Sequence, residues 1–208
     1  MTRNLHKNPN PQGKGLVAVL ADWQATRPSA VERKAPGDLL RDWFASALVL
    51  SADFHFRPVV GQSYYLYHRA DGWRLSLIAP QEWGRERSGA CLGCCRLQPD
   101  MTWSLEPREE LADEGLLVEE LARLVAAFAE ELADEGSLAA RVPGYRRDLP
   151  YHRRMLATAL GSSLRLAVDD ASRLDAPARD LLEAAGGLSA RALLAPGVPP
   201  ANPAQRVS

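Results

Sequence analysis

From Asp38 to Ala52 the apolar residues Leu39, Leu40, Trp43, Phe44, Ala47 and Leu48 recur at spacings of one, three and one, which predicts a helix with one core-facing stripe. Beyond it, Phe54, Phe56 and Pro58 lead into extended chain, because the residue before a proline is pushed out of helical geometry. Tyr64-Tyr65-Leu66-Tyr67-His68-Arg69 and Trp73-Arg74-Leu75-Ser76-Leu77-Ile78 are rich in aromatic and branched residues, and Ala70-Asp71-Gly72 joins them, so they predict a β-hairpin. A period of two sets Trp73, Leu75 and Leu77 on the buried side and Arg74 and Ser76 on the other, and Pro80 ends the strand. Cys91 to Leu97 reads as a third strand, and Gln98-Pro99-Asp100-Met101 as a turn into a fourth at Thr102-Trp103-Ser104-Leu105. Further on, Leu117, Leu121, Leu124, Phe128 and Leu132 follow steps of four, three, four and four, an amphipathic helix with glutamates opposite and Gly136 at its end. After Pro143-Gly144 come two shorter helices, Tyr151 to Leu160 and Asp175 to Ala185, the second with Asp175 as N-cap before Pro177.

The fold class that follows is α+β: a small antiparallel three- to four-stranded β-meander packed on an amphipathic helix, then a helical C-terminal half. Four regions are expected. Residues 1–35 form a flexible basic arm and docking segment, 36–105 the helix and meander core, 106–190 a helical extension and 191–208 a disordered tail rich in proline. Within the first, Leu16 to Trp23 is an apolar run that reads equally as a helical turn or an edge strand.

Composition adds boundaries. With 46% hydrophobic and 25% charged residues over 208 positions, the chain is an ordinary globular one, too apolar for general disorder. Met1 to Lys14 has charge but no apolar signal core, and no stretch approaches the roughly 18 apolar residues of a membrane span, so neither secretion nor membrane insertion is expected. Three clustered cysteines, Cys91, Cys94 and Cys95, do not make a disulfide framework and suit a reducing cytoplasm. The net charge of −1 attracts neither nucleic acid nor an anionic membrane, yet its distribution is uneven. Eleven acids stand against Arg108 and Arg123 between Glu106 and Gly136, and six arginines against Asp148 between Arg141 and Arg165. The nearest partners for Arg146, Arg147, Arg153 and Arg154 are therefore Glu119, Glu120, Glu130 and Glu131, which predicts that the acidic and basic helices pair as a hairpin.

The string Tyr64-Tyr65-Leu66-Tyr67, Leu75-Ser76-Leu77-Ile78-Ala79-Pro80, Glu82-Trp83-Gly84, Leu92-Gly93, Leu97, Asp100 and Trp103 resembles domain of unknown function 2452, found in bacteria and eukaryotes. The likeness runs from about Val60 to Ser104, roughly a fifth of the chain, and departs at Cys94 and Cys95, where the family has aromatic or aliphatic residues. It implies no activity, cofactor or catalytic residue.

Candidate chemistry is sparse. Cys91, Cys94 and Cys95 supply a Cys-x-x-Cys half-site for zinc, but His6, His55, His68 and His152 lack ligand spacing, and a strand aims Cys94 and Cys95 apart, so they are expected to pack as small apolar groups. Gly13-Lys14-Gly15 lacks the spacing of a phosphate loop and reads as part of the arm, where Lys7 and Lys14 could meet an anion. His68, Tyr64 and Glu82 would support acid and base work only if they met in a pocket at the sheet end. With no nucleophile elbow and no metalloprotease motif, no metal and no cofactor is expected. The preferred reading is a cytosolic, non-enzymatic module that binds an unidentified protein through Tyr65, Tyr67, Trp83, Arg146, Arg147, Arg153 and Arg154. A small-molecule enzyme with that pocket, or an RNA-binding accessory protein using Tyr65, Tyr67 and the arginines, are the alternatives.

Overall fold

The computed structural model describes residues 16–83, 89–109, 115–168 and 170–190. The stretches expected as the arm's first 15 residues and the tail after residue 190 lie outside them. Among the described residues, six helices and four strands follow in order: α1 (Leu16–Ala25), α2 (Pro36–Ser51), β1 (Ser63–Arg69), β2 (Gly72–Ser76), β3 (Ala90–Leu97), β4 (Trp103–Pro107), α3 (Gly115–Ala133), α4 (Leu138–Arg141), α5 (Tyr151–Ala167) and α6 (Ala178–Ala184), with a 3-10 turn at Ala171–Leu174.

The strands form one antiparallel sheet in the order β2-β1-β3-β4. Both hairpins fall where the pattern put them, β1 with β2 and β3 with β4, and Gly72 at φ 117° supplies the turn geometry that a side chain resists. The sheet is not a simple meander, however, because β3 returns to pair with β1 instead of continuing beside β2. The outer edge of β2 is already taken. Asp53, leaving α2, donates from its amide to the Trp73 carbonyl at 2.8 Å and accepts from the Leu75 amide at 3.1 Å. With that edge closed, the free edge of β1 is the one left to β3. The second strand also stops at Ser76, earlier than the alternation suggested, so Leu77 is 49% exposed instead of buried and Ile78 follows it outward.

One residue of β3 is extra. Gly93 faces Leu66 and Cys91 faces Tyr67, so Leu92 bulges out of the ladder and the register shifts by one. A regular strand would put Cys91 and Cys94 on opposite sides. The bulge brings both to the side away from α2, while Leu92 and Cys95 join the core.

Helix α2 sits at the centre. It was expected to bury a single stripe, and instead Leu39, Leu40, Trp43, Phe44, Ala45, Ser46, Leu48, Val49 and Leu50 are all buried. The sheet covers one side of it, and α5 and α6 cover others. The Ser46 hydroxyl ties it to the sheet by accepting from the Trp103 amide at 2.8 Å while donating to the Asp42 carbonyl at 2.5 Å. Phe128 of α3 meets Trp43 and Phe44 edge-on, with ring centres 5.5 and 5.6 Å apart.

The acidic and basic helices do not form the expected hairpin. Helix α3 lies on α6, and α5 lies on α2. Their charges are met locally: Arg123 pairs with Glu120, Arg141 with Asp134, Arg146 with Asp148 at 2.7 Å, and Arg153 and Arg154 turn to other partners described below. Burial decides this, since each helix must first cover an apolar face and exposed ion pairs are worth too little to redirect it. The basic helix runs on to Ala167, past its predicted end, and Asp175 closes the 3-10 turn while Pro177 holds the N-cap position of α6.

A buried polar knot joins the segment before α2 to the rest. The Lys34 ammonium lies 2.5 Å from Asp42 of α2 and 2.6 Å from Asp100 in the β3–β4 turn, and its amide donates to the Ala167 carbonyl at 2.9 Å. Asp100 also accepts from the Thr102 amide at 3.0 Å and hydroxyl at 2.6 Å.

Candidate functional site

Helix α1 is apolar on nearly every side: Leu-Val-Ala-Val-Leu-Ala-Asp-Trp-Gln-Ala. Such a helix normally lies wholly inside a protein. Here none of its described side chains reaches the buried core, and Leu20 and Trp23 are 45% and 56% exposed. It lies across a bed made by residues 57–60, the β3–β4 turn and α5.

Two cavities lie along that bed. The first, about 400 Å³, is walled by Asp22, Ala25 and Thr26 of the α1 end and, opposite, by Arg57, Val59, Val60, Leu97, Met101 and Met155 among others. The second, about 250 Å³, lies between Trp23 and Leu166. Thr26 and Met155 border both, so the two hollows adjoin in one groove. Trp23, Val59, Val60 and Leu166 stand exposed along it.

Its polar contacts are few. Arg57 donates to the Asp22 carboxylate at 2.8 Å across the space between the bed and α1. Thr26 turns its hydroxyl back onto its own helix, donating to the Asp22 and Trp23 carbonyls at 3.0 and 3.1 Å, so only its methyl is left for the hollow. His152 lies at the rim of the first cavity with its ring 5.3 Å from that of Tyr151. Two methionines supply adaptable surface, and the space is of the size that holds a small ligand or a row of side chains.

The residues singled out from the sequence are scattered. Tyr65 is half-buried on the sheet face away from α2. Tyr67, on that same face, is fully buried, its hydroxyl donating to the Ile78 carbonyl at 2.9 Å and its ring 5.4 Å from Trp83. Burial pushes the Tyr67 phenol well up, and Cys91 beside it adds to the rise, so this tyrosine offers no binding surface. Arg153 crosses to donate to the Ala52 carbonyl at 2.9 Å and lies over the Phe54 ring, and Arg154 donates to the Tyr145 hydroxyl at 3.1 Å. Both are fasteners between elements. Only Arg146 and Arg147 stand exposed, in the loop before α5, where the Asp148 carboxylate holds Arg146 in its charged form.

Among the described residues Tyr64, His68 and Glu82 do not converge. Tyr64 lies in the core against Phe56 and Trp103, His68 rests on Trp73 with ring centres 4.8 Å apart, and Glu82 is exposed in the turn after β2. The cysteines also separate. Burial pushes the Cys95 thiol well up, so it stays protonated inside the core, and among the described residues no group of three potential ligands comes together. No helix among the described residues is long and apolar enough to cross a membrane.

The groove residues were missed in the sequence, although one signal pointed to them: an apolar run with no polar face implies cover on more than one side. Met155 and Leu166 share one face of α5, but Arg57 comes from a distant segment, and no local pattern brings it to them.

Residues 38–125 match the family model described as Protein of unknown function (DUF2452), the family that the sequence resembles. The match spans most of α2, the sheet and the first half of α3; of the groove it includes residues 57–60 and the β3–β4 turn but neither α1 nor α5. No solved structure matches the chain.

Proposed function

We propose that this protein is a non-enzymatic interaction module that accepts an apolar segment of a partner protein in the groove that α1 lies over, floored by residues 57–60, the β3–β4 turn and α5. The observation that carries the reading is the exposure of Val59, Val60 and Leu166 along two adjoining hollows, with Trp23 of α1 beside them. Contiguous apolar surface of this kind marks interaction sites more often than scattered exposed side chains do. The split of the cysteines between a buried core position and the far sheet face supports a reducing, cytoplasmic setting.

Affinity purification of the tagged full chain, with mass spectrometry of what it retains, tests the reading. Val59→Asp combined with Leu166→Asp alters only exposed positions and is expected to remove the specific partner while leaving the melting temperature unchanged. Recovery of the same proteins by the wild type and the double variant would refute the groove as the binding surface.

A further inference from the structure

The groove already holds a helix, and holds it poorly. At the end that covers the larger cavity, α1 presents Ala25, a single methyl, and Thr26, whose hydroxyl is spent on its own backbone. Beneath them about 400 Å³ is unfilled, between walls that include Val60, Leu97, Met101, Met155 and Leu156. Those walls could meet longer side chains, which would gain dispersion contacts along this partly open hollow. The Asp22–Arg57 pair meanwhile fixes the register in which a helix lies across the bed.

We propose that α1 is a displaceable strap over a helix-binding groove. The partner segment that replaces it is an apolar α-helix with one acidic residue opposite Arg57 and long aliphatic side chains where α1 offers Ala25 and Thr26. This rests on the groove being the interaction surface, and it adds the identity of the occupant and the means of regulation. The chemistry of the occupant is read from α1: its largely apolar sequence suits the apolar walls, its acid matches the cation, and its short residues mark where a competitor gains. Being tethered, α1 competes at an effective concentration of the order of millimolar, so a helix that merely copied it would lose. Each additional buried methylene raises affinity roughly fourfold, enough for a helix with two leucines over the hollow to overcome the tether.

The test uses the full chain and a fluorescein-labelled peptide carrying the α1 sequence between helix-favouring flanks, with Ala25→Leu and Thr26→Leu in the peptide, read by fluorescence anisotropy. The filled peptide is expected to bind at least tenfold tighter than a peptide with the unsubstituted α1 sequence. Arg57→Glu in the chain repels the acid of strap and peptide alike, so on that variant the filled peptide with Asp22→Lys is expected to bind at least tenfold tighter than the filled peptide that keeps Asp22, an order that reverses on the wild-type chain. Placed in the chain itself, Ala25→Leu with Thr26→Leu should do the opposite, tightening the strap, raising the melting temperature and abolishing peptide binding. Absence of binding, a preference between peptides with and without Asp22→Lys that ignores Arg57→Glu, or binding indifferent to the substitutions within the chain would each overturn the proposal. So would capture of a basic helix, or pairing of two copies through this face. A native partner that Val59→Asp with Leu166→Asp releases, but that ignores the substituted strap, would leave the interaction surface standing and remove the strap.

Discussion

Lys34 shows how one residue can fasten three segments and how unlike two carboxylates around one ammonium can be. Asp42 and Asp100 are nearly equidistant from it, yet their acidities move apart. For Asp42, burial raises the carboxyl above its usual range, and the Lys34 charge only partly offsets that. Burial pushes Asp100 the same way but is outweighed by hydrogen bonds from Lys34 and from Thr102, so its carboxyl lies below the usual range. For Lys34, burial lowers the affinity for its proton and the two carboxylates more than restore it. Asp100→Ala, which strands part of this knot, is expected to cost about 3 kcal/mol in urea denaturation at neutral pH. Asp42→Asn is expected to cost less. The two should also differ with pH. Asp100 stabilises the fold above the unfolded carboxylate range and ceases to do so as acid protonates it in the folded state, whereas Asp42 takes up its proton more readily folded than unfolded and gains on acidification. The gap between the two variants should therefore narrow as pH falls from 7 towards 3, and a constant gap would show that neither carboxylate carries the charge assigned to it.

At the scale of single elements, sterics overrule propensity at one glycine of α5 and leave it free at another in α2. A Cβ at Gly161 would stand 1.9 Å from the Pro143 carbonyl oxygen, whereas one at Gly37 meets nothing within 4 Å. Helix propensity alone favours alanine at both by up to about 1 kcal/mol. Thermal denaturation should give opposite signs: Gly37→Ala slightly stabilising, Gly161→Ala destabilising by about 2 kcal/mol or more. The same contrast explains what the sequence made legible. Local patterns found α2, both hairpins, the β3–β4 turn and α3, because each is specified by neighbours in the chain. Strand order, the bulge at Leu92 and the pairing of helices depend on contacts between distant residues, such as Asp53 with Trp73. The binding candidates suffered most. Tyr67, Arg153 and Arg154 have the chemistry of surface contacts, and their burial or internal pairing could not be read from spacing.

For the molecule as a whole, α2 is the shared centre of the sheet and the C-terminal helices, and one buried cluster runs from Leu39 through Trp103 to Leu181. Sharing of that kind favours joint unfolding. Phe128→Ala, which removes the ring wedged against Trp43 and Phe44, is expected to cost about 2 to 3 kcal/mol. It should shift the tryptophan fluorescence and far-ultraviolet circular dichroism transitions by the same amount. Transitions that separate would identify the helical half as an independent folding unit. Asp53 has a consequence of its own at this scale. By pairing with the Trp73 carbonyl and the Leu75 amide, it covers part of the edge that β2 turns outward and discourages a stray strand there, which leaves the flank beyond β4 as the other place where copies could stack. There Pro107 lacks an amide to donate and Glu106 is an exposed charge, two features that discourage an intruding chain, and both flanks of the sheet are thereby guarded against aggregation.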